Sequence, residues 1–322
     1  MIRIAIIGMG LIGTSLGMAL RSADDRDAPL GKIEVVGFDT QSRAVKDARG
    51  RLAIDREART LEDAVRDAHI IVLATPVKTM ENLFAQLSTL LPSGVVVTDT
   101  ASTKAQVLEW SQRLPNGVDF VGGHPMAGRE QSGGQAADPD LFKDAIYCLT
   151  PATSARQVSI DAVVGMVERA GAKPYYIDPV EHDAYVGGIS HLPFLLSTAL
   201  VEVTSASAGW REMAPLAATG FRDISRLASG DVTMHRDICL TNREALIRWI
   251  NDTVNQLLDM RGHLEASDAE KLDQMFAHAR EVREEWLNSR PNMRPGEAEF
   301  QDMGRIERPS LFGFRTPGER RR

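Results

Sequence analysis

Several things are scarce in this 322-residue chain, and each scarcity closes off a class of function. There are two cysteines, Cys148 and Cys239, and no CxxC pair, so neither a disulfide framework nor a cysteine zinc site is expected. Both sit among apolar neighbours and read as small core residues of a protein in a reducing, cytoplasmic setting. Positive charge is short as well. The net charge is −7, and eight Arg against five acids in residues 290–322 leave −10 on residues 1–289. Such a surface suits neither nucleic acid phosphates nor an anionic membrane, and neither is expected as a partner. The Arg320-Arg321-Arg322 run reads as a solvated end. No stretch is expected to supply the ~20 apolar residues of a membrane span. The N-terminus lacks the basic, apolar and cleavable order of a signal peptide.

What is present is ordinary for a globular protein: 43% apolar and 25% charged residues, in a length that suggests two domains. Short β-rich runs at 3–7, 33–38, 70–74, 95–99, 120–122 and 146–149 read as strands, and KPYYI at 173–177 as the final one. Helical stretches near 11–22, 60–67, 77–90, 103–114 and 156–170 alternate with them. The strands are apolar throughout rather than alternating, as expected of a parallel sheet covered on both faces. After Asp178-Pro179 no strand pattern remains. Leu246, Ile250, Val254, Leu257 and Leu258 share one helical face, and Leu272, Met275, Phe276, Ala279, Val282 and Trp286 another. The expected fold is therefore an α/β Rossmann-type domain over 1–178 followed by an all-α domain over 179–289. Residues 290–322, with four Pro and four Gly, read as an extended or flexible basic tail.

Gly8-Met9-Gly10-Leu11-Ile12-Gly13 follows the first strand and opens a helix, and Asp39 closes the second strand in VVGFD. Together these make the dinucleotide fingerprint. Gly8 permits the tight turn, Gly10 the approach of a pyrophosphate, and Gly13 close helix–strand packing. The helix N-terminus at Leu11 and Ile12 attracts the phosphates. Asp39 would accept hydrogen bonds from the adenine ribose and repel a 2′-phosphate, so NAD is favoured over NADP, a preference Arg43 could soften. Thr75-Pro76 and the 99–104 segment end two further strands at the carboxyl edge, where they should border the nicotinamide. Ser102 there could be part of that border, the cap of the following helix, or both.

His124, set among Gly122, Gly123, Pro125 and Gly128 after the next strand, suits proton transfer beside a nicotinamide. Farther on, Pro193 should interrupt a long apolar helix. His182, Asp183 and His191 match no metal-ligand spacing. His191 reads either as a pocket residue or as a satisfied core histidine. Arg222 and Arg226 share one helix face and could receive a carboxylate, or Asp223 could simply pair with Arg226 on the surface.

Six segments together resemble the prephenate and arogenate dehydrogenase family of tyrosine biosynthesis: GMGLIG at 8–13, LATPV at 73–77, DTASTK at 99–104, GGHPMAGREQSG at 122–133, EHDAYVGGISHLP at 181–193 and GFRDISRLASGD at 220–231. The resemblance implies NAD-dependent oxidative decarboxylation of prephenate or arogenate by a homodimer joined through its helical domain. It implies that His124 engages the C4 hydroxyl, that Ser102 orients it, that Arg226 binds a substrate carboxylate, and that Glu130 and Asp223 are acidic partners near that arginine. Two positions depart from the family pattern, Phe194 where a second histidine is common and His235 where a tryptophan is common. Other two-domain dehydrogenases depend on a helical-domain lysine, and residues 180–230 contain none. A nucleotide-sensing regulator without turnover would not need His124, Ser102 and Arg226. The tail is too short for a fused mutase or regulatory domain, so any tyrosine inhibition is expected to act at the active site.

Overall fold

A computed structural model describes residues 1–23, 28–129 and 131–289. Among these, eight strands form one sheet in the order β3-β2-β1-β4-β5-β6-β7-β8. They are β1 (Ile2–Ile7), β2 (Ile33–Phe38), β3 (Arg56–Glu57), β4 (Ile70–Leu73), β5 (Val96–Asp99), β6 (Asp119–Pro125), β7 (Ile146–Pro151) and β8 (Lys173–Tyr176). The helices between them are α1 (Leu11–Ser22), α2 (Ser42–Gly50), α3 (Leu61–Val65), α4 (Val77–Leu87), α5 (Ala105–Ser111) and α6 (Gln157–Arg169).

Helices cover both faces, which is why the strands carry so little polar residue. Ile4 and Ile6 of β1 pack with Leu16, Leu20, Val163 and Met166 on one side. Ala5 and Ile7 pack with Val65, Met80, Phe84 and Trp110 on the other. Each such Ile or Val, fully buried, stabilises the domain by roughly 1.5–3 kcal/mol.

Two features differ from the all-parallel reading. The two-residue β3 was too short to leave a periodic trace, and α2 before it is only weakly apolar. Strand β7 runs antiparallel to β6, with His124 opposite Cys148. Consequently β6 extends through Pro125, and His124 is part of a strand rather than of a loop after it.

By contacts the chain divides into two units, one ending at Ala266 and one beginning at Ser267. In the first, α7 (Pro179–Val186) starts where the chemistry dictates: the Asp178 carboxylate accepts from the backbone N–H of Val180 (2.8 Å) and Glu181 (3.1 Å), with Pro179 in the first turn. The interruption expected from Pro193 is a π-helical turn, Gly187–His191, before α8 (Leu192–Ser205). The same unit holds α9 (Trp210–Met213), α10 (Thr219–Ser225), α11 (Val232–Thr241) and α12 (Arg243–Glu265). Glycine at 188 lets α12 approach, since a Cβ there would lie 2.7 Å from the Trp249 ring. The second unit contains α13 (Ala269–Ser289), with Phe276, Val282 and Trp286 exposed. The tail expected over 290–322 lies outside the described residues.

Contrary to expectation, one segment, Pro179–Ser205, is long and apolar enough by length and composition to cross a membrane. It also carries buried His182, Asp183 and His191, whose hydrogen bonds run to the residues preceding and opening α5 and to α11's end. Cys148 is buried as expected, whereas Cys239 is only half-buried. Burial pushes the Cys148 thiol up to about 11.

Candidate active site

Strands β1, β2, β4, β5 and β6 are mutually parallel, so their carboxyl ends share one edge of the sheet. The sheet order reverses direction between β1 and β4, the position where open α/β sheets bind ligands. The glycine loop lies at that point. Gly8 has φ +101°, and a Cβ on it would lie 2.4 Å from the Ala74 carbonyl oxygen. A Cβ at Gly13 would lie 1.9 Å from the Gly8 oxygen. Nothing lies within 4 Å of a Cβ built on Gly10, so the loop is open there, and no side chain caps the start of α1. The backbone donors of Leu11 and Ile12 thus open α1 without a side-chain acceptor, which fits a pyrophosphate.

Asp39 is braced against this loop. Its carboxylate accepts from Met9 N–H and from Gln41 N–H, each at 2.8 Å. Two fixed backbone donors orient both oxygens while leaving lone pairs for ribose hydroxyls. The Arg43 side chain is 91% exposed and pairs weakly with Asp47 at 3.9 Å. Thr75 and Pro76 lie between β4 and α4, with the Thr79 hydroxyl donating to Thr75 Oγ1 at 2.9 Å.

His124 is buried at the carboxyl end of β6, and its surroundings are polar and tightly paired. Its Nδ1 lies 2.9 Å from His182 Nε2, and His182 Nδ1 lies 2.8 Å from Asp183 Oδ1. No partner of His124 Nε2 occurs among the described residues. Behind the imidazole, the Lys104 ammonium donates to Asp99 and, at 2.5 Å, to the Gly123 carbonyl. Both members of that ion pair are fully buried. Asp99 also accepts from Gly123 N–H (3.0 Å) and Ala101 N–H (2.9 Å), locking the end of β5 to β6. Burial, then the facing His182, Lys104 and His191, hold the His124 imidazole well below the usual histidine range. It is neutral at physiological pH.

Ser102 is half-buried and makes no hydrogen bond to His124 among the described residues. Nor does it cap α5. That helix begins at Ala105, and its first donors, Lys104 N–H (2.7 Å) and Ala105 N–H (2.9 Å), go to the Asp183 carboxylate from α7. A distant acid thus fills the capping role that was one of the alternatives for Ser102.

His191 is hydrogen-bonded at one ring nitrogen and without a partner at the other among the described residues. Asn242 Nδ2 donates to the Asp183 carbonyl (2.8 Å) and to His191 Nδ1 (3.1 Å). The His191 proton must then sit on Nε2, and that buried atom has no partner among the described residues. Burial pushes this imidazole down to about 4, so it is a neutral donor. Phe194 is buried 6.1 Å from the His191 ring and stacks on His235 at 4.1 Å. The two departures from the family pattern therefore touch each other.

Arg222 and Arg226 lie at the end of α10 and the start of the 3-10 turn after it, and both are exposed. Asp223 pairs with its chain neighbour Arg222 at 3.1 Å. Ser197 of α8 donates to the Ile224 carbonyl, seating this segment on α8. Glu130 lies outside the described residues. Lys104, Asp99 and the His182–Asp183 pair are site residues that sequence spacing does not reveal; an adjacent His-Asp just inside a well-capped helix is the one local signal.

The nucleotide-binding domain model of prephenate dehydrogenase matches residues 29–176, and the dimerization domain model of prephenate dehydrogenase matches 178–278. The prephenate dehydrogenase of Bacillus subtilis is 33% identical over 290 residues, covering 87% of this chain and 75% of that one. The cyclohexadienyl dehydrogenase of Zymomonas mobilis is 30% identical, covering 87% and 94%. The crystal structure of an A. aeolicus prephenate dehydrogenase with hydroxyphenyl propionate and NAD+ superposes with a TM-score of 0.81 at 27% identity, covering 88% of this chain and 98% of that one.

Proposed function

The chain belongs to the prephenate dehydrogenase family, and from that premise we propose that it converts prephenate to 4-hydroxyphenylpyruvate and CO₂ with NAD as oxidant. One observation carries the chemistry: a buried neutral His124 at the carboxyl edge of the sheet, held through Nδ1 and with Nε2 left to a ligand. NAD, when bound, would supply the hydride acceptor for C4 of the substrate ring.

The chain's own residues supply the rest. His124 Nε2 accepts the C4 hydroxyl proton, which a protonated imidazole could not do. Gly8, Gly10, Leu11, Ile12 and Gly13 hold the pyrophosphate, Asp39 the adenine ribose, and Thr75, Pro76 and Ser102 border the nicotinamide. Lys104 holds Gly123 and hence His124 in place. The unpartnered N–H of His191, with Arg226 and Arg222, receives substrate carboxylates; two anionic groups on a substrate entering a chain of charge −7 need such fixed donors. Glu130 is assigned beside Arg226 from the family motif alone.

We assign residues 1–178 to the cofactor and 179–289 to substrate and dimerisation. Val203, Leu240, Val254 and Leu257 are 47–70% exposed on the helical part of the first unit, an apolar surface suited to a second copy. The enzyme so formed is a cytoplasmic homodimer.

The second reading is arogenate or dual specificity, favoured by the Phe194–His235 stack at positions where the family pattern differs. NADH formation, followed by absorbance with prephenate and with arogenate, separates the two. Prephenate turnover is expected. Turnover of arogenate alone would overturn the substrate assignment, and no NAD-dependent turnover of either would overturn the activity.

A further inference from the structure

We infer that His182 and Asp183 are positioning residues that keep the His124 proton on Nδ1 and so leave Nε2 as the base; this rests on the role given to His124 above. Asp183 is the fixed end of the chain of bonds. Its carboxylate is pinned by Lys104 N–H at 2.7 Å and Ala105 N–H at 2.9 Å. A carboxylate only accepts, so His182 Nδ1, 2.8 Å from Oδ1, is the donor there. The inferred arrangement places one ring proton on His182, at Nδ1, so that its Nε2 accepts from His124 Nδ1, 2.9 Å away. His124 Nδ1 must donate, and its lone pair is on Nε2.

The rings cannot readily escape this arrangement. They are 1% and 8% exposed and meet edge to face at 5.1 Å and 72°. Capping α5 explains Asp183 alone; it does not require an imidazole aimed from α7 at His124. The groups facing His124 are His182 and Asp183 of α7, Lys104 paired with Asp99, His191 on the π turn, and Cys148 across the strand pair. Lys104 opposes an imidazolium at 124, so the proton arriving at Nε2 needs an outlet. When the substrate O–H bond breaks and the Nε2–H bond forms, the Nδ1 proton shifts toward His182 Nε2, and the charge moves next to the Asp183 carboxylate. If instead His182 were protonated beforehand, its Nε2 would donate and drive the His124 proton onto Nε2, removing the base.

Long-range ¹H–¹⁵N correlation spectra of the full-length protein near neutral pH read the tautomer directly, with His124→Asn assigning the ring. A protonated Nδ1 and bare Nε2 are expected at His124; the reverse would overturn the inference whatever the activity. In kinetics, His182→Phe should lower kcat by at least ~30-fold and shift the acidic limb of its pH profile, as expected for a disarmed general base, with NAD affinity within about twofold. His182→Gln, whose amide oxygen can accept from Nδ1, should recover at least ~10-fold of that loss. A Phe variant within about threefold of wild-type kcat, or a folded Gln variant no better than Phe, would overturn the role. If wild type fails to turn over prephenate while the spectra show the Nδ1–H form, the assigned activity falls and the tautomer stands.

Discussion

Acidifying the solution should expose how much of this fold depends on a histidine that cannot be charged. His191 is 1% exposed, and its imidazole is pushed down to about 4 from 6.5, chiefly by burial. The unfolded chain takes up a proton near pH 6.5, whereas the folded chain resists until near 4, so protons favour unfolding across that window. The sign is therefore a stability that is intact above the unfolded value and falls as pH drops toward the folded one. Linkage puts the loss from this one group at about 2 kcal/mol between pH 7 and 5, and about 3 kcal/mol by pH 4. Urea unfolding of wild type and His191→Gln at fixed protein concentration isolates it, because other titrating groups are common to both. Wild type should lose about 2 kcal/mol more than the variant between pH 7 and 5. Parallel losses, agreeing within about 0.5 kcal/mol, would refute the claim that His191 is buried neutral with an unpartnered Nε2.

Other expectations follow from the same geometry. The acidic limb of kcat/KM should lie well below the usual histidine value of 6.5, because His124 stays neutral there; a limb at 6.5 in a pH–rate profile would contradict its burial. His124→Asn should lower kcat by at least ~10²-fold while NAD binding, measured by fluorescence titration, is retained. Arg226→Ala should raise the prephenate KM roughly 10–100-fold with kcat little changed, the scale of one charge-assisted bond. Asp39→Ala should weaken NAD about tenfold and narrow the preference over NADP, since both the ribose acceptor and the brace on Met9 N–H are lost. Gly188→Ala should cost about 1–3 kcal/mol, seen as a lower Tm, because the added methyl meets the Trp249 ring at 2.7 Å.

The features most legible in the sequence were those set by neighbours along the chain. The apolar runs located β1, β2 and β4 to β7 to within a few residues, because strands buried on both faces must be apolar throughout; β8, whose Tyr175 and Tyr176 are partly exposed, showed only as the aromatic run KPYYI. The glycine spacing and Asp39 located the cofactor loop for the same local reason: Gly8 is required by its own φ and Gly13 by the turn just before it. Asp178-Pro179 marked the end of the strand pattern, and there the Asp178 carboxylate caps α7. By contrast, the antiparallel turn at β7 left no trace, because the apolar pattern of a buried strand carries no direction.

The sequence by itself thus determined a dinucleotide-binding sheet, a helical second part and a histidine at the sheet's carboxyl edge. Only the tertiary structure decided what that histidine is chemically. Its state depends on His182, 58 residues away along the chain, on Asp183 reaching across to the start of α5, and on the buried Lys104–Asp99 pair behind it. The same holds for His191, whose donor tautomer is dictated by Asn242 between α11 and α12, 51 residues along the chain. Proton placement is a property of distances and burial between remote elements, and no spacing along a chain encodes those until the chain has folded.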